Sequence, residues 1–454
     1  MPSTLILLTA AWLAADLPPG VTDVGTGPAL TLATAEQNAL HNQPTVRQAA
    51  GQTEAAAGRA EEARSGYLPQ VSGTGTYERT TANYVFRPGV NIAPSNTMAG
   101  MTMGTGTNLT VPPTSWSKTY DFWSFGLTGS QLIYDFNATA DKMRSANASH
   151  DAAGASERAA MLQALFNVRR AYFTARGQHD LVLVANEAVA NQKKHLDQIV
   201  VMVGAGMKSQ IDLATQRTAL ANAQVQAVVA ANQYAADLAL LNQAMGTPGG
   251  TVFDLTDTEM PAIPGEDGDE RPLMEAALKA RPEIAAAEKN RRAQELTVSS
   301  ERGNYFPAIS GIASLTAAGT HLDALGPNWF VGAQATWALL SGGLTGGQIR
   351  EAKGTLASLD AQADAARLQV SVDVVQGRLA VRAAKASIGG AEEALANARE
   401  QLRLAEGRYQ TGQGSIIELA DAQVAYTTAE AQEVSARYSL ASARAQLLTA
   451  LGSR

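Results

Sequence analysis

Apolar and polar positions follow the three-and-four spacing of helices over most of this chain and alternate only in short stretches. From Leu30 to Gly66, Ala35, Ala39, Val46, Ala49, Ala56, Ala60 and Ala63 mark one face of an amphipathic helix, which Pro44 splits in two. Beyond Tyr67-Leu68-Pro69, Val71, Gly73, Gly75 and Tyr77 alternate with Ser72, Thr74 and Thr76, the period of a strand. Residues 80–118 read as a long loop, and strand character returns from Tyr120 to Tyr134. Residues 137–204 hold no proline and little glycine, which predicts a helix of about 100 Å at 1.5 Å per residue. After Gly204-Ala-Gly206 a second helical run reaches Ala244, and an acidic, proline-containing linker covers 247–272.

The order then repeats: helix 273–303, strand 307–317, a short loop, strand 328–341, and helices 343–410 and 416–450. In the last helix Val424, Ala431, Val434, Tyr438, Ala441, Ala445 and Leu448 form a stripe. Ala391, Leu395, Ala398, Leu402, Ala405 and Tyr409 form one on the preceding arm. These are coiled-coil seams built largely from small residues.

The repetition is literal at its landmarks. Pro44 and Pro69 recur as Pro282 and Pro307, both 238 residues on, while Gly126, Gly206 and Gly246 recur as Gly332, Gly412 and Gly452, all 206 on. The drop of 32 places the surplus between Pro69 and Gly126. The chain therefore divides into a first repeat at 30–246, the linker 247–272, and a second repeat at 273–452. Their β-hairpins are expected at 69–134 and 307–341, and their long helical hairpins at 137–246 and 343–452.

Composition narrows the chemistry. Charged residues are 17% and the formal charge is −7, with no basic stripe, so nucleic acid is not an expected partner. There is no cysteine, hence neither disulfide nor thiolate site. His41, His150, His179, His195 and His321 are scattered, and no catalytic, metal or cofactor constellation emerges. Gly342-Gly343 and Gly346-Gly347 lack the Lys-Ser/Thr of a phosphate loop and suit a strand-to-helix turn. Residues 1–15, apolar then Ala-rich, read as a signal peptide without its usual basic start, followed by a Pro/Gly-rich leader at 16–29. A short apolar arm, or a start assigned too far downstream, would look similar.

No apolar run elsewhere reaches the roughly 20 residues of a membrane helix, so any crossing of a bilayer must use strands. Tyr120, Phe122, Trp123 and Tyr134 stand at the ends of one strand, and Trp329 and Trp337 in the other hairpin, as an interfacial aromatic girdle would. Four strands cannot close around a lipid-facing barrel, whereas three copies supply twelve. The fold class expected is mainly α with membrane β: a trimeric 12-stranded β-barrel continued by a 12-helix periplasmic α-barrel.

The ordered, doubled set of Ala39-Leu40 with Pro44, Tyr67-Leu68-Pro69-Gln70, Arg281-Pro282-Glu283-Ile284 and Tyr305-Phe306-Pro307 resembles the TolC family of outer membrane factors over essentially Leu30 to Gly452. The turns Gly206-Met-Lys-Ser-Gln-Ile-Asp212 and Tyr409-Gln-Thr-Gly412-Gln-Gly-Ser-Ile-Ile-Glu418 carry it as well. The resemblance implies a homotrimeric exit duct in the outer membrane of a Gram-negative bacterium. It would serve a tripartite efflux pump or a type I secretion system, with lipid around it. Its partners would be a periplasmic adaptor meeting the turns at Gly206 and Gly412 and an inner-membrane transporter supplying the energy. It also implies a periplasmic gate at Asp212, Tyr409, Gln413, Glu418 and Asp421, with a Tyr409–Asp212 hydrogen bond as latch. The family's gate arginine does not carry over, because Gly414 stands there. Glu418 and Asp421 share a helix face, and threefold symmetry would ring them; as solvated charges beside a turn they would look the same. The rival from another class is a periplasmic coiled-coil structural or adaptor protein, for which the aromatic-ended strands would have no use.

Overall fold

The computed structural model describes residues 27–81 and 119–453. The expected signal segment, the leader through residue 26 and loop residues 82–118 lie outside them. The elements in order are β1 (Ala29–Leu30), α1 (Leu32–Asn42), α2 (Pro44–Ser65), β2 (Gln70–Thr81), β3 (Thr119–Tyr134), α3 (Ala138–Gly204) and α4 (Gln210–Met245). Then follow β4 (Asp254–Leu255), α5 (Glu270–Ala280), α6 (Pro282–Gly303), β5 (Ala308–Gly319), β6 (Gly326–Thr336), α7 (Leu344–Gln410) and α8 (Ile416–Ala450). Both long helices, α3 and α7, run 67 residues.

The prolines act as the repeat predicted. Pro44 and Pro282 open α2 and α6, and the residues before them, Gln43 and Arg281, are extended (ψ 122° and 119°) as a pre-proline residue must be. Several features differ from expectation. The fifth helix begins at Glu270 rather than 273, because the Asp269 side chain accepts from the Glu270 N–H. The strand expected to reach 341 stops at Thr336, and Gly342 and Gly343 (φ +61° and +86°) turn the chain into α7. The linker is also not free: its Asp254–Leu255 pairs in parallel with Ala29–Leu30.

Contacts divide the chain into two units. The first holds residues up to Glu54, 151–288 and 361 onward. One of its cores gathers Tyr172, Phe173, Leu241, Met245 and Tyr438. Another, belonging to the second repeat, gathers Val370, Val374, Val381 and Leu447. The Tyr172 hydroxyl donates to the Leu30 carbonyl (2.8 Å) and accepts from the Asp257 N–H (3.0 Å), which pins β1 and the linker to α3. The repeats end alike: a Cβ on Gly246 would lie 2.7 Å from the Asn42 carbonyl carbon, and one on Gly452 3.0 Å from that of Ala280.

The second unit holds 55–150 and 289–360. Its sheet is antiparallel in the order β2-β3-β5-β6. The strands β2 and β6 are its two edges, and every residue of β6 is exposed. Below the sheet α3 and α6 meet through hydroxyls: Ser145 donates to the Ala293 carbonyl and Ser300 to that of Ala138, both at 2.7 Å.

Candidate functional site

The register of the sheet sorts its side chains into two kinds. One face carries Val71, Gly73, Gly75 and Tyr77 on β2, Trp123, Phe125 and Leu127 on β3, Ala313, Leu315 and Ala317 on β5, and Trp329, Val331 and Ala333 on β6. The other is dominated by Ser72, Thr74, Thr76, Ser124, Thr128, Ser130, Ser314, Thr316, Asn328 and Gln334, with Phe122, Ile312 and Phe330 among them. The apolar face is not buried within the chain: Leu127 is 54% exposed, Leu315 52% and Val331 74%. An apolar sheet face left open, opposite a hydroxyl-rich one, is the pattern of a strand set with lipid on one side and water on the other.

Aromatics mark the ends of the apolar face. Trp123 packs on Tyr77 with ring centroids 4.5 Å apart. Tyr134 would fall on the polar face by strict alternation with Trp123. A bulge between Leu132 and Tyr134 shifts the register so that Tyr134 pairs with Ile309, and both aromatic ends share one face. Trp337 stands just past β6, its indole N–H donating to the Tyr305 carbonyl at 3.0 Å. Phe122 is a correction. It pairs with Glu78 on the polar side and is 6% exposed, so it is no part of a girdle. The Tyr120 side chain lies outside the described residues. Phe136 and Phe306 stack at 4.7 Å beside Tyr134, unmarked by strand alternation because neither lies in a strand.

The second feature is the pair of helix turns in the helical unit. Gly206 (φ +73°) and Gly412 (φ +77°) take the left-handed conformation that ends α3 and α7. The Met207 N–H donates to the Met202 carbonyl, and the N–H groups of Gln413 and Gly414 both donate to that of Arg408, all at 2.9 Å. Ser209 and Ser415 then cap α4 and α8. Here the halves part company. Asp212 returns its carboxylate to the Ser209 N–H (3.3 Å), completing a capping box. Its counterpart Glu418 instead pairs with Arg408 at 3.0 Å. Gly414 lets that turn close: a Cβ there would sit 3.0 Å from the Tyr409 backbone nitrogen and 3.1 Å from Arg408 atoms.

Tyr409 is 5% exposed in a small core with Ile199, Ala405, Ile416, Leu419 and Ala422. The expected Tyr409–Asp212 hydrogen bond does not form. Among the described residues the Tyr409 hydroxyl has no partner, because the Asp212 carboxylate is satisfied locally by its own cap. Burial pushes the phenol's pKa up, and the nearby charge of Asp212 adds to that. What reaches Tyr409 from the other repeat is Lys208, whose ammonium lies 3.9 Å from the ring centroid. Gln413 and Asp421 are exposed. Neither Lys208 nor Arg408 was singled out from sequence. The signal available was that Lys208 occupies, 206 residues earlier, the position of Gly414.

Further from the turns the two repeats are joined by polar side chains. Gln192 on α3 donates to Gln423 on α8 (3.0 Å), and Gln216 on α4 donates to the Gln192 carbonyl (3.0 Å). His195 lies 3.4 Å from Glu406 on α7. Burial lowers the His195 pKa, partly countered by Glu406 and Gln198.

The sequence profile of outer membrane efflux proteins matches residues 35–247 and 273–453, the two repeats. Among relatives, the probable efflux pump outer membrane protein SepC of Pseudomonas putida is 25% identical over 66% of this chain and 63% of its own length. The solvent efflux pump outer membrane protein SrpC of the same species is 24% identical over 78% and 77%. The first match thus spans under two thirds of that relative. Among solved structures, the Campylobacter jejuni CmeC outer membrane channel superimposes with a TM-score of 0.79 at 18% identity, covering 93% of this chain and 85% of that one. The outer membrane protein VceC of Vibrio cholerae gives 0.77 at 16% identity, covering 93% and 96%. With both repeats matched by the profile and the fold shared with solved outer membrane channels, the chain belongs to the outer membrane efflux protein family.

Proposed function

We propose that this chain is the passive outer-membrane exit duct of a tripartite efflux assembly. Three copies close one twelve-stranded barrel, and their helical units line a passage on the periplasmic side. The observation that supports this most directly is the two-faced sheet, both of whose edges are unpaired among the described residues. Lipid tolerates no open strand edge, so each copy needs neighbours, and three supply more than the roughly eight strands of a small membrane barrel. The cargo is small molecules. Relatives named for solvent and toluene efflux favour that over protein secretion.

An inner-membrane transporter supplies the energy, and a periplasmic adaptor meets the turns at Gly206 and Gly412. Exposed Met207, Ile211 and Ile417 offer it apolar contact there. Glu418 and Asp421, on one face of α8, ring the aperture in three copies, with Gln413 beside them and Asp212 fixed in its cap.

Detergent should be needed to extract the protein, which should run as a heat-labile trimer and conduct ions in planar bilayers. Divalent cations added on the periplasmic side should block that current. The block should vanish when Glu418→Ala and Asp421→Ala are combined. A water-soluble monomer without conductance would instead favour the coiled-coil adaptor. Persistent block in the double variant would remove the carboxylate ring.

A further inference from the structure

We infer that Lys208 is the residue that holds the second repeat's helical pair shut against the first, by seating its ammonium on the ring of Tyr409. This rests on the exit-duct reading and names the contact that keeps the duct closed. The ammonium lies 3.9 Å from the ring centroid, well inside the roughly 6 Å within which a cation is drawn to an aromatic face. The ring is buried, so water competes poorly for the cation. Lys208 is half-buried and, among the described residues, makes no ion pair that would draw it elsewhere.

The other polar groups at this end do not join the repeats, whose remaining contact there is the small apolar core of Ile199 with Tyr409 and Ile416. The Asp212 carboxylate serves the cap of its own helix. Arg408 pairs with Glu418 across the turn of its own helical pair, and both are well exposed. Among the described residues the Tyr409 hydroxyl has no hydrogen-bond partner. The first repeat therefore holds the tyrosine by its face and not by its oxygen.

The contact is also one-sided. Offset by one repeat, Lys208 corresponds to Gly414 and Tyr409 to Val203, so no mirror-image contact exists between the same turns. A contact made at only one of the two equivalent turns breaks the near-equivalence of the helical pairs.

Single-channel recording on the intact trimer tests this with four single variants and one double. Lys208→Met keeps the aliphatic stem and removes the charge, while Tyr409→Leu keeps apolar bulk and removes the ring. Each should raise open probability about two- to thirty-fold, the range between an exposed and a desolvated cation–aromatic contact. The double variant should open no further than either single one, because both remove the same interaction. Lys208→Arg and Tyr409→Phe should gate like the parent. Opening by Tyr409→Phe equal to that by Tyr409→Leu would overturn the proposal in favour of a hydroxyl latch. Parent-like gating of Lys208→Met in a conducting trimer would overturn the latch alone. Absence of conductance in the parent and every variant would overturn the duct reading and the latch with it.

Discussion

Glu266→Ala should destabilise the helical unit by about 3–5 kcal/mol, the usual cost of stranding the partner of a buried ion pair. Glu266 is 3% exposed, in the linker that the sequence marks only as acidic and proline-containing. Both its oxygens accept from Arg444 on α8, at 2.8 and 3.1 Å. Lys385 on α7 lies 2.7 Å away, and the Ile263 N–H donates at 2.9 Å. Arg444 also donates to the Met260 carbonyl, so one carboxylate fastens the linker to two helices of the second repeat. Burial alone would raise the carboxyl's pKa, but Arg444, Lys385 and the Ile263 N–H outweigh it and hold it at about 2.

The sign of the pH dependence follows. A carboxyl depressed from its ordinary 4.5 stabilises fully above that value and loses its contribution as pH falls toward about 2. Thermal unfolding of detergent-solubilised protein at a series of pH values should show this acid loss in the parent and a much flatter profile in Glu266→Gln. Arg444→Met should cost as much as Glu266→Ala, and Glu266→Leu with Arg444→Met much less than the sum. Additive losses would mean that the two residues act separately.

The second large effect concerns adjacent residues on opposite faces of β3. Leu127→Arg places a charge on the apolar face and should cost about 2–4 kcal/mol near the bilayer midplane, with a matching loss of folded protein in membranes. Thr128→Arg, one residue along, points to the polar face. It should leave trimer yield intact and shift conductance toward anions. Leu127 sits in register between Gly73 and Leu315, and Thr128 between Ser72 and Ser314, so backbone pairing is equal for both. Equal tolerance at the two positions would contradict a lipid-facing sheet.

Much of the fold was legible because its signals are local. Proline must open a helix rather than interrupt one, hence Pro44 and Pro282, and glycine suits the left-handed end of a helix, hence Gly206 and Gly412. The site was less legible because its contacts depend on competition between groups. Asp212 could serve either Tyr409 or its own cap, and the Ser209 N–H three residues away costs no long-range geometry. Face assignment failed at Phe122 because an aromatic residue signals an interface but not a side, and parity with Ser124 and Thr128 decides it. At Tyr134 parity itself misleads, since the bulge that corrects it has no mark in the composition. The repeat offset marks Lys208 as the counterpart of Gly414, but its contact with Tyr409 shows only once two distant turns are brought together.

The free edges of the sheet are unlike: one is β2, from the first repeat, and the other is β6, from the second. In the proposed trimer, copies then join head to tail, and the ring closes only when every junction is sound. A chain damaged along β6 still offers an intact β2, so it enters assemblies and spoils them. Lesions at the sheet edges should thus act in trans, poisoning healthy copies made in the same cell. Lesions in the helical core, which stop a chain from folding at all, should be recessive.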